Sequence, residues 1–266
     1  MPAYRFIATR QEGPALVAAL TNPPRNFLNA TMVAELDALA DAVEADERVR
    51  ALILTGGVDG VFIMHYDVGE LVRVSDAARE RASVGEGPEL HAMHRMLLKL
   101  QRLSKPVIAA INGVAMGGGC ELALACDFRY MAAGGRIGLP EVRVGILPGA
   151  GGTQRMARLL GVAKALELML LGDTVDAETA ERIGLVHRAV EPDRLLDEAL
   201  ALANELAKRP ALSVALIKRC VLEGVELPLE EALHLEQDAF WRTMRSEDAA
   251  RLMRLYLQGE QPLDRV

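Results

Sequence analysis

The chain has 266 residues, 51% of them hydrophobic and 25% charged, with a formal net charge of −7. This is a globular composition with ample material for one large domain or a domain plus an appendage, and it excludes a disordered chain. The acidic balance argues against nucleic-acid or anionic-membrane partners, which select a clustered excess of Lys and Arg.

The N-terminal segment lacks a basic start followed by an unbroken apolar run, so no signal peptide is expected. It predicts a strand, a turn at Glu12-Gly13-Pro14 and a second strand. Thr21 to Asn29 is a Pro/Asn-rich loop carrying one cation, Arg25, and Asn29 is placed to cap a helix with Met32, Leu36, Leu39 and Val43 on one face. Val49 to Thr55 is a buried strand ended by two glycines. Val61 to Asp67 then runs into a loop holding an unusual His65-Tyr66 pair. Residues 75–88 are polar and read as irregular and mobile. A helix is expected from about Pro88 to Leu103, stopped by Ser104-Lys105-Pro106.

Pro106 to Ile111 reads as a buried strand, Cys120 to Ala125 as a helix and Phe128 to Ala132 as a strand. The run from Gln154 is helical until Gly172, and a short helix covers Asp176 to Ile183. Beyond Pro192 the strand signals vanish and four helices follow, over 195–208, 211–222, 228–244 and 246–257, with Ser246 as a cap. The reading is therefore an α/β core over residues 1–193 and a helical region over 194–266. The succession of strand-strand-helix units suggests a degenerate structural repeat. Residues 106–120 are uncharged but too short and glycine-rich to span a membrane. Cys120, Cys126 and Cys220 lack metal-site spacing and read as free thiols, which fits a reducing, cytoplasmic setting. His91, His94, His187 and His234 read as decoration on helices or turns, and no metal site is expected. Phe240 and Trp241 read as packing residues, against the chain itself or another subunit.

Two carboxylates stand out. Every side chain between Lys105 and Glu121 is uncharged, so Glu121 closes a segment that reads as interior, where an unpartnered charge is costly. Glu141 follows Pro140 on a loop, with Gly149-Ala150-Gly151-Gly152 nearby and built for close backbone approach. A glycine run before a helix, Gly117-Gly118-Gly119 here, lets backbone N–H groups and the helix N-terminus meet an anion. The spacing is neither a dinucleotide fingerprint nor a phosphate-cradling P-loop. Two glutamates beside such donors make a plausible acid/base pair working next to a carbonyl. The plain alternatives are a solvated or ion-paired helix residue for Glu121, and a loop carboxylate paired with Arg136 or Arg143 for Glu141.

AINGVAMGGGCELALACD, the GLPEV segment and GILPGAGGTQR closely resemble the enoyl-CoA hydratase/isomerase family, also called the crotonase superfamily. The likeness extends more weakly through NPPRNFLNATMVAEL, ALILTGG and IGLVHRAV, and so over nearly the whole chain. It implies a spiral of repeated ββα units with a C-terminal helical region for oligomerisation and site cover. It also implies an acyl-CoA thioester substrate, with coenzyme A arriving as part of that substrate and no separate cofactor, and homotrimers or dimers of trimers. By motif, the backbone N–H groups of Tyr66 and Gly118 would form the oxyanion hole. Glu121 and Glu141 would activate water and supply a proton. One acid at the Glu141 position suffices for the family's double-bond isomerases, so the presence of both favours hydration. Isomerisation, another enolate reaction, or a non-catalytic acyl-CoA-binding subunit are the alternatives. Met64, His65, Asp67, Gly117 and Gly149 are candidate substrate contacts, and Arg25 is the candidate for CoA phosphate. The chain departs from the family's Phe-x-Ala-Gly-x-Asp at Phe62-Ile63-Met64-His65-Tyr66-Asp67, where His65 replaces the usual glycine and the Tyr66 phenol is placed to touch substrate.

Overall fold

The computed structural model describes residues 3–80 and 89–260. Strands β1 (Ile7–Glu12) and β2 (Ala15–Leu20) form an antiparallel hairpin, turned in two residues by Gly13 at φ +56°, which a Cβ would disfavour. Asn29 caps α1 (Ala30–Ala45) by accepting from the Met32 N–H, and Met32, Leu36, Leu39 and Val43 form its buried stripe.

Three repeats follow. Each gives one strand to a larger sheet and one to a smaller sheet before turning into a helix. The first is β3 (Ala51–Gly56), β4 (Val61–Ile63), α2 (Val68–Glu80) and α3 (Ala92–Arg102). The second is β5 (Val107–Ile111), β6 (Val114–Met116) and α4 (Gly118–Leu124). The third is β7 (Phe128–Ala132) and β8 (Arg136–Gly138), a 3₁₀ turn at Glu141–Val144, then α5 (Gly152–Leu160) and α6 (Val162–Leu171). After β9 (Thr174–Asp176), α7 (Ala177–Arg182) and β10 (Arg188–Val190), four helices complete the described chain: α8 (Leu195–Ala207), α9 (Ala211–Gly224), α10 (Leu229–Met244) and α11 (Glu247–Leu257). The larger sheet runs β1-β2-β3-β5-β7-β10 and the smaller β4-β6-β8-β9. Successive repeats thus step along both sheets in the same direction, the spiral of ββα units.

Pairing beyond β1–β2 in the larger sheet is parallel, and both of its faces are covered. That is why its strands read as continuous apolar runs. Leu16, Leu20, Leu52, Leu54 and Ile111 face the main core with α1, α3 and α4. The alternate residues Val17, Ile53, Ile108 and Ala110 meet Leu195, Ala199 and Ala203 of α8. A half-buried ion pair fastens α9 to the core. Lys218 Nζ donates to Asp127 Oδ2 at 2.7 Å and to Lys105 O at 3.1 Å, and the same Asp127 oxygen accepts from the Val107 N–H at 2.7 Å.

Four details differ from the sequence reading. Ser75 to Glu80 are helical, as the end of α2, and residues 81–88 lie outside the described residues. The helix was hidden because it buries no residue, so no apolar stripe marks it. Helix α3 starts at Ala92 behind the cap His91, not at Pro88. The long helical run after Gln154 divides into α5 and α6 at Gly161, whose φ of +79° cannot continue a helix. Strands β6, β8, β9 and β10 are three residues each, too short for an alternation to register.

Burial pushes the Asp127 carboxyl up, against the pull of Lys218. Lys218→Met leaves that carboxylate buried without its counter-charge, at an expected cost of about 3 kcal/mol in denaturant unfolding at pH 8. The loss should shrink at pH 5, because Asp127 then escapes by taking up a proton. Equal losses at both pH values would contradict this account of the pair.

Candidate active site

The site forms where the second and third repeats meet. Gly117 caps α4 at φ +51° and ψ −121°, and its N–H donates to Gly138 O of β8 at 3.0 Å. A Cβ on Gly117 would stand 3.1 Å from Glu141 Oε1 and 3.6 Å from His65 Cβ. One on Gly118 would stand 3.5 Å from Tyr66 Cβ, and one on Gly119 would run into the Ile63 backbone. The missing side chains therefore let α4 abut both the Met64–Asp67 segment and Glu141.

Glu121, one turn into α4, is 3% exposed. Its Oε1 accepts from the N–H groups of Ala150, at 2.6 Å, and Gly152, at 2.9 Å. Burial pushes its carboxyl above the ordinary range, while the Gly152 and Ala150 donors and the nearby Arg155 pull it back. Glu141 opens the 3₁₀ turn, and its Oε2 is buried with no hydrogen-bond partner among the described residues. Burial, aided by the Glu121 charge and opposed by its own backbone N–H, pushes Glu141 up to about 7. One carboxylate is thus supplied with donors and the other is starved of them. At neutral pH a proton goes first to Glu141.

The opposite wall is set by a residue the sequence reading passed over. Asn26 is fully buried at φ +53°, and its Nδ2 donates to Leu20 O (2.9 Å) and Phe62 O (2.5 Å). Its Oδ1 accepts from the Asn22 N–H at 2.7 Å, and its own carbonyl accepts from the Met64 N–H at 3.2 Å. This latch lays the loop after β2 along Met64–Asp67. There the Leu28 N–H donates to His65 O (3.0 Å) and the Asp67 N–H to Leu28 O (2.7 Å), a parallel bridge centred on Tyr66. In such a bridge the N–H of the central residue points away from its partner, so the Tyr66 N–H is turned away from Leu28.

The Tyr66 side chain is tied into the fold. Its hydroxyl donates to Glu70 Oε2 at 2.8 Å, and that oxygen also accepts from the Ala30 N–H at 3.0 Å. The phenol thus braces α2 and the start of α1. His65 packs on the Phe27 ring at 4.7 Å, with Nδ1 2.7 Å from Tyr66 O. Asp67 Oδ1 accepts from the Glu70 N–H at 3.2 Å and so holds the first turn of α2. Arg25 lies exposed on the turn next to Asn26. Gly149 is exposed in the loop that leads to the Ala150 and Gly152 donors, and its carbonyl faces His91 Nε2 at 2.8 Å.

The structure therefore gathers Glu121, Glu141, Gly117, Gly118, His65 and Tyr66 into one cluster, borders it with Gly149, and leaves Arg25 on the surface. Asn26 and Glu70 were missed. An Asn beside a Pro-rich loop is an ordinary turn residue in sequence, and Glu70 lies on a helix without a stripe.

The family model of enoyl-CoA hydratase/isomerase matches residues 10–262. The chain belongs to this family. It is 34% identical, over 95% of its length and 94% of the relative's, to a short-chain-enoyl-CoA hydratase of Clostridium acetobutylicum. It is 36% identical to a crotonyl-CoA hydratase of Syntrophomonas wolfei, over 96% of each chain. The fold matches a crystal structure of an enoyl-CoA hydratase from Bacillus anthracis with a TM-score of 0.85 at 30% identity, covering 97% of this chain and 98% of that one. The crotonase fold thus rests on topology and on family membership independently.

Gly117→Ala places a Cβ at a positive φ and against Glu141. An expected loss of about 2 kcal/mol on denaturant unfolding checks the strain at this cap, and a variant as stable as the parent would contradict it.

Proposed function

We propose that this chain is an enoyl-CoA hydratase-like lyase that adds water across the 2,3 double bond of a short acyl-CoA thioester. The observation that carries the reading is the unequal pair of carboxylates, Glu121 anchored by two N–H donors and Glu141 buried with a free oxygen, beside the glycine cap of α4. The names of the full-length relatives support the same chemistry and a short 2-enoyl chain.

In this mechanism the thioester oxygen accepts from the backbone N–H groups of Tyr66 and Gly118, which take up the charge as the enolate forms. Water gives a proton to the Glu121 carboxylate as its oxygen bonds to Cβ, and the Glu141 carboxyl gives its proton to Cα. The product is the 3-hydroxyacyl thioester, and a proton passing from Glu121 to Glu141 restores the starting state. Gly117 leaves room for Glu141, while Met64, His65 and Asp67 shape the wall on the acyl side, His65 by its ring and Asp67 by bracing the segment. Gly149 lines the entrance and Arg25, on the open surface, is offered to CoA phosphate. No separate cofactor is used in this scheme; coenzyme A is part of the substrate.

The assembly we propose is a homotrimer or a dimer of trimers in the cytoplasm. Exposed apolar side chains on α9 to α11, among them Ile217, Val221, Leu229, Trp241 and Leu257, support self-association through the helical region over 194–266, and Leu170 of α6 adds to the exposed apolar surface. No described helix is long and apolar enough to cross a membrane.

With crotonyl-CoA, the absorbance of the conjugated thioester should fall on adding enzyme. Glu121→Gln and Glu141→Gln should each lower kcat by about a thousandfold. Turnover of 3-enoyl thioesters alone would replace hydration with isomerisation, and tight binding without product would leave a binding subunit. A second check is the pH profile. Glu141 works protonated and titrates at about 7, so kcat/KM should decline as pH rises through that value. A profile flat from pH 6 to 8 would contradict the assignment of Glu141 as the acid.

A further inference from the structure

His91 stands outside the pair of glutamates, yet a single peptide group joins it to them. Its Nε2 lies 2.8 Å from Gly149 O, and the N–H at the other end of the same Gly149–Ala150 peptide donates to Glu121 Oε1 at 2.6 Å. A carbonyl only accepts, so Nε2 must carry the hydrogen. The other ring nitrogen, Nδ1, is then an acceptor, as it must be to take the His94 N–H at 3.4 Å and cap α3. His94 Nδ1 lies 2.8 Å from the same Nε2 and turns a lone pair toward the shared hydrogen. The three contacts fit one arrangement, with Nε2–H of His91 as the donor and Nδ1 of each ring as an acceptor. Burial, with His91 and Arg155 nearby, lowers the affinity of the His94 ring for a proton. Among the described residues, charged groups near the two rings include Glu121 from α4, Arg155 from α5, whose Nη1 donates to Ala150 O at 3.1 Å, and Arg95 of α3 itself, whose Nη1 donates to Leu90 O.

A hydrogen bond accepted by a peptide carbonyl polarises that peptide and strengthens its N–H as a donor. We propose that His91 is a positioning residue for Glu121: its Nε2–H fixes the Gly149–Ala150 peptide, whose N–H in turn aims the carboxylate and favours its ionised form. The kinetic consequence rests on the hydratase reading, but the contact itself does not. Removing the His91 donor weakens the Ala150 donor, and a carboxylate with a weaker donor titrates at higher pH.

His91 does two jobs, and two variants separate them. His91→Asn keeps an oxygen able to cap α3 but is too short to reach Gly149 O, whereas His91→Gln places an amide N–H near the position of Nε2 and caps poorly. The test is a titration of ¹³C-carboxyl-labelled glutamate by NMR, with the Glu121 signal assigned by its loss in Glu121→Gln, alongside kcat against pH for crotonyl-CoA. In His91→Asn the Glu121 midpoint and the acid limb of kcat should both rise by on the order of half a pH unit. Its kcat should fall several-fold with KM within about twofold, and His91→Gln should restore most of both effects. A His91→Asn midpoint equal to the parent's, or a His91→Gln midpoint shifted as far as that of His91→Asn, would overturn the proposal. If the parent hydrates no enoyl thioester, the functional reading fails alone, because the NMR titration still decides whether His91 acts on Glu121.

Discussion

Glu121 remains chargeable inside the protein because two backbone N–H groups come to it from a loop about thirty residues later in the chain. That requirement propagates outward. Gly151 turns the loop at φ +97°, and Gly152 must lack a Cβ, since one would stand 3.0 Å from Glu121 Oε1. Helix α5 begins at Gly152, so the donor loop is rigidly attached to a helix, and Arg155 on that helix reaches back to Ala150 O. On the other side, the positive φ of Gly117 starts α4 one turn before Glu121 and clears a place for Glu141. The position of one carboxylate thus specifies a cap, a loop and the start of two helices.

The two glutamates differ in what the fold provides to each. Glu121 receives donors, whereas Glu141 receives burial and a neighbouring negative charge. Glu141 therefore opposes folding as it ionises: its raised affinity for protons costs nothing below the ordinary carboxylate range and costs stability as pH rises through about 7. A carboxyl in that state suits proton transfer better than it suits packing. The segment facing the pair is fixed with equal care. Asn26, Leu28 and Glu70 hold Met64 to Asp67 through its backbone or through the Tyr66 hydroxyl, and the Asp67 side chain ties its end to the first turn of α2.

Local chemistry made much of this legible in the sequence. Asn29 and Ser246 cap the helices they were expected to cap, the strand over Phe128–Ala132 lies where its apolar run puts it, and Glu121 stands out as a lone acid after fifteen uncharged residues. What stayed hidden depends on contacts between distant segments. The bracing of the Tyr66 hydroxyl by Glu70 is completed from the start of α1, whose Ala30 N–H reaches the same carboxylate across 40 residues. His91 looked like surface decoration because its partner, Gly149 O, is 58 residues away. Helix α2 lacks any buried face, and α5 and α6 share one apolar pattern that only the backbone at Gly161 divides. Sequence periodicity reports burial against a core, and none of these features is of that kind.

The central claim is that Glu121 and Glu141 work as one unit on one substrate. A double-mutant cycle tests it: kcat for crotonyl-CoA is measured in the parent, Glu121→Gln, Glu141→Gln and the combined variant. Two groups serving the same step are strongly non-additive, so the combined variant should be about as slow as the slower single one. Losses that multiply, with the combined variant slower by the product of the two single effects, would mean that the glutamates act independently and would contradict the account.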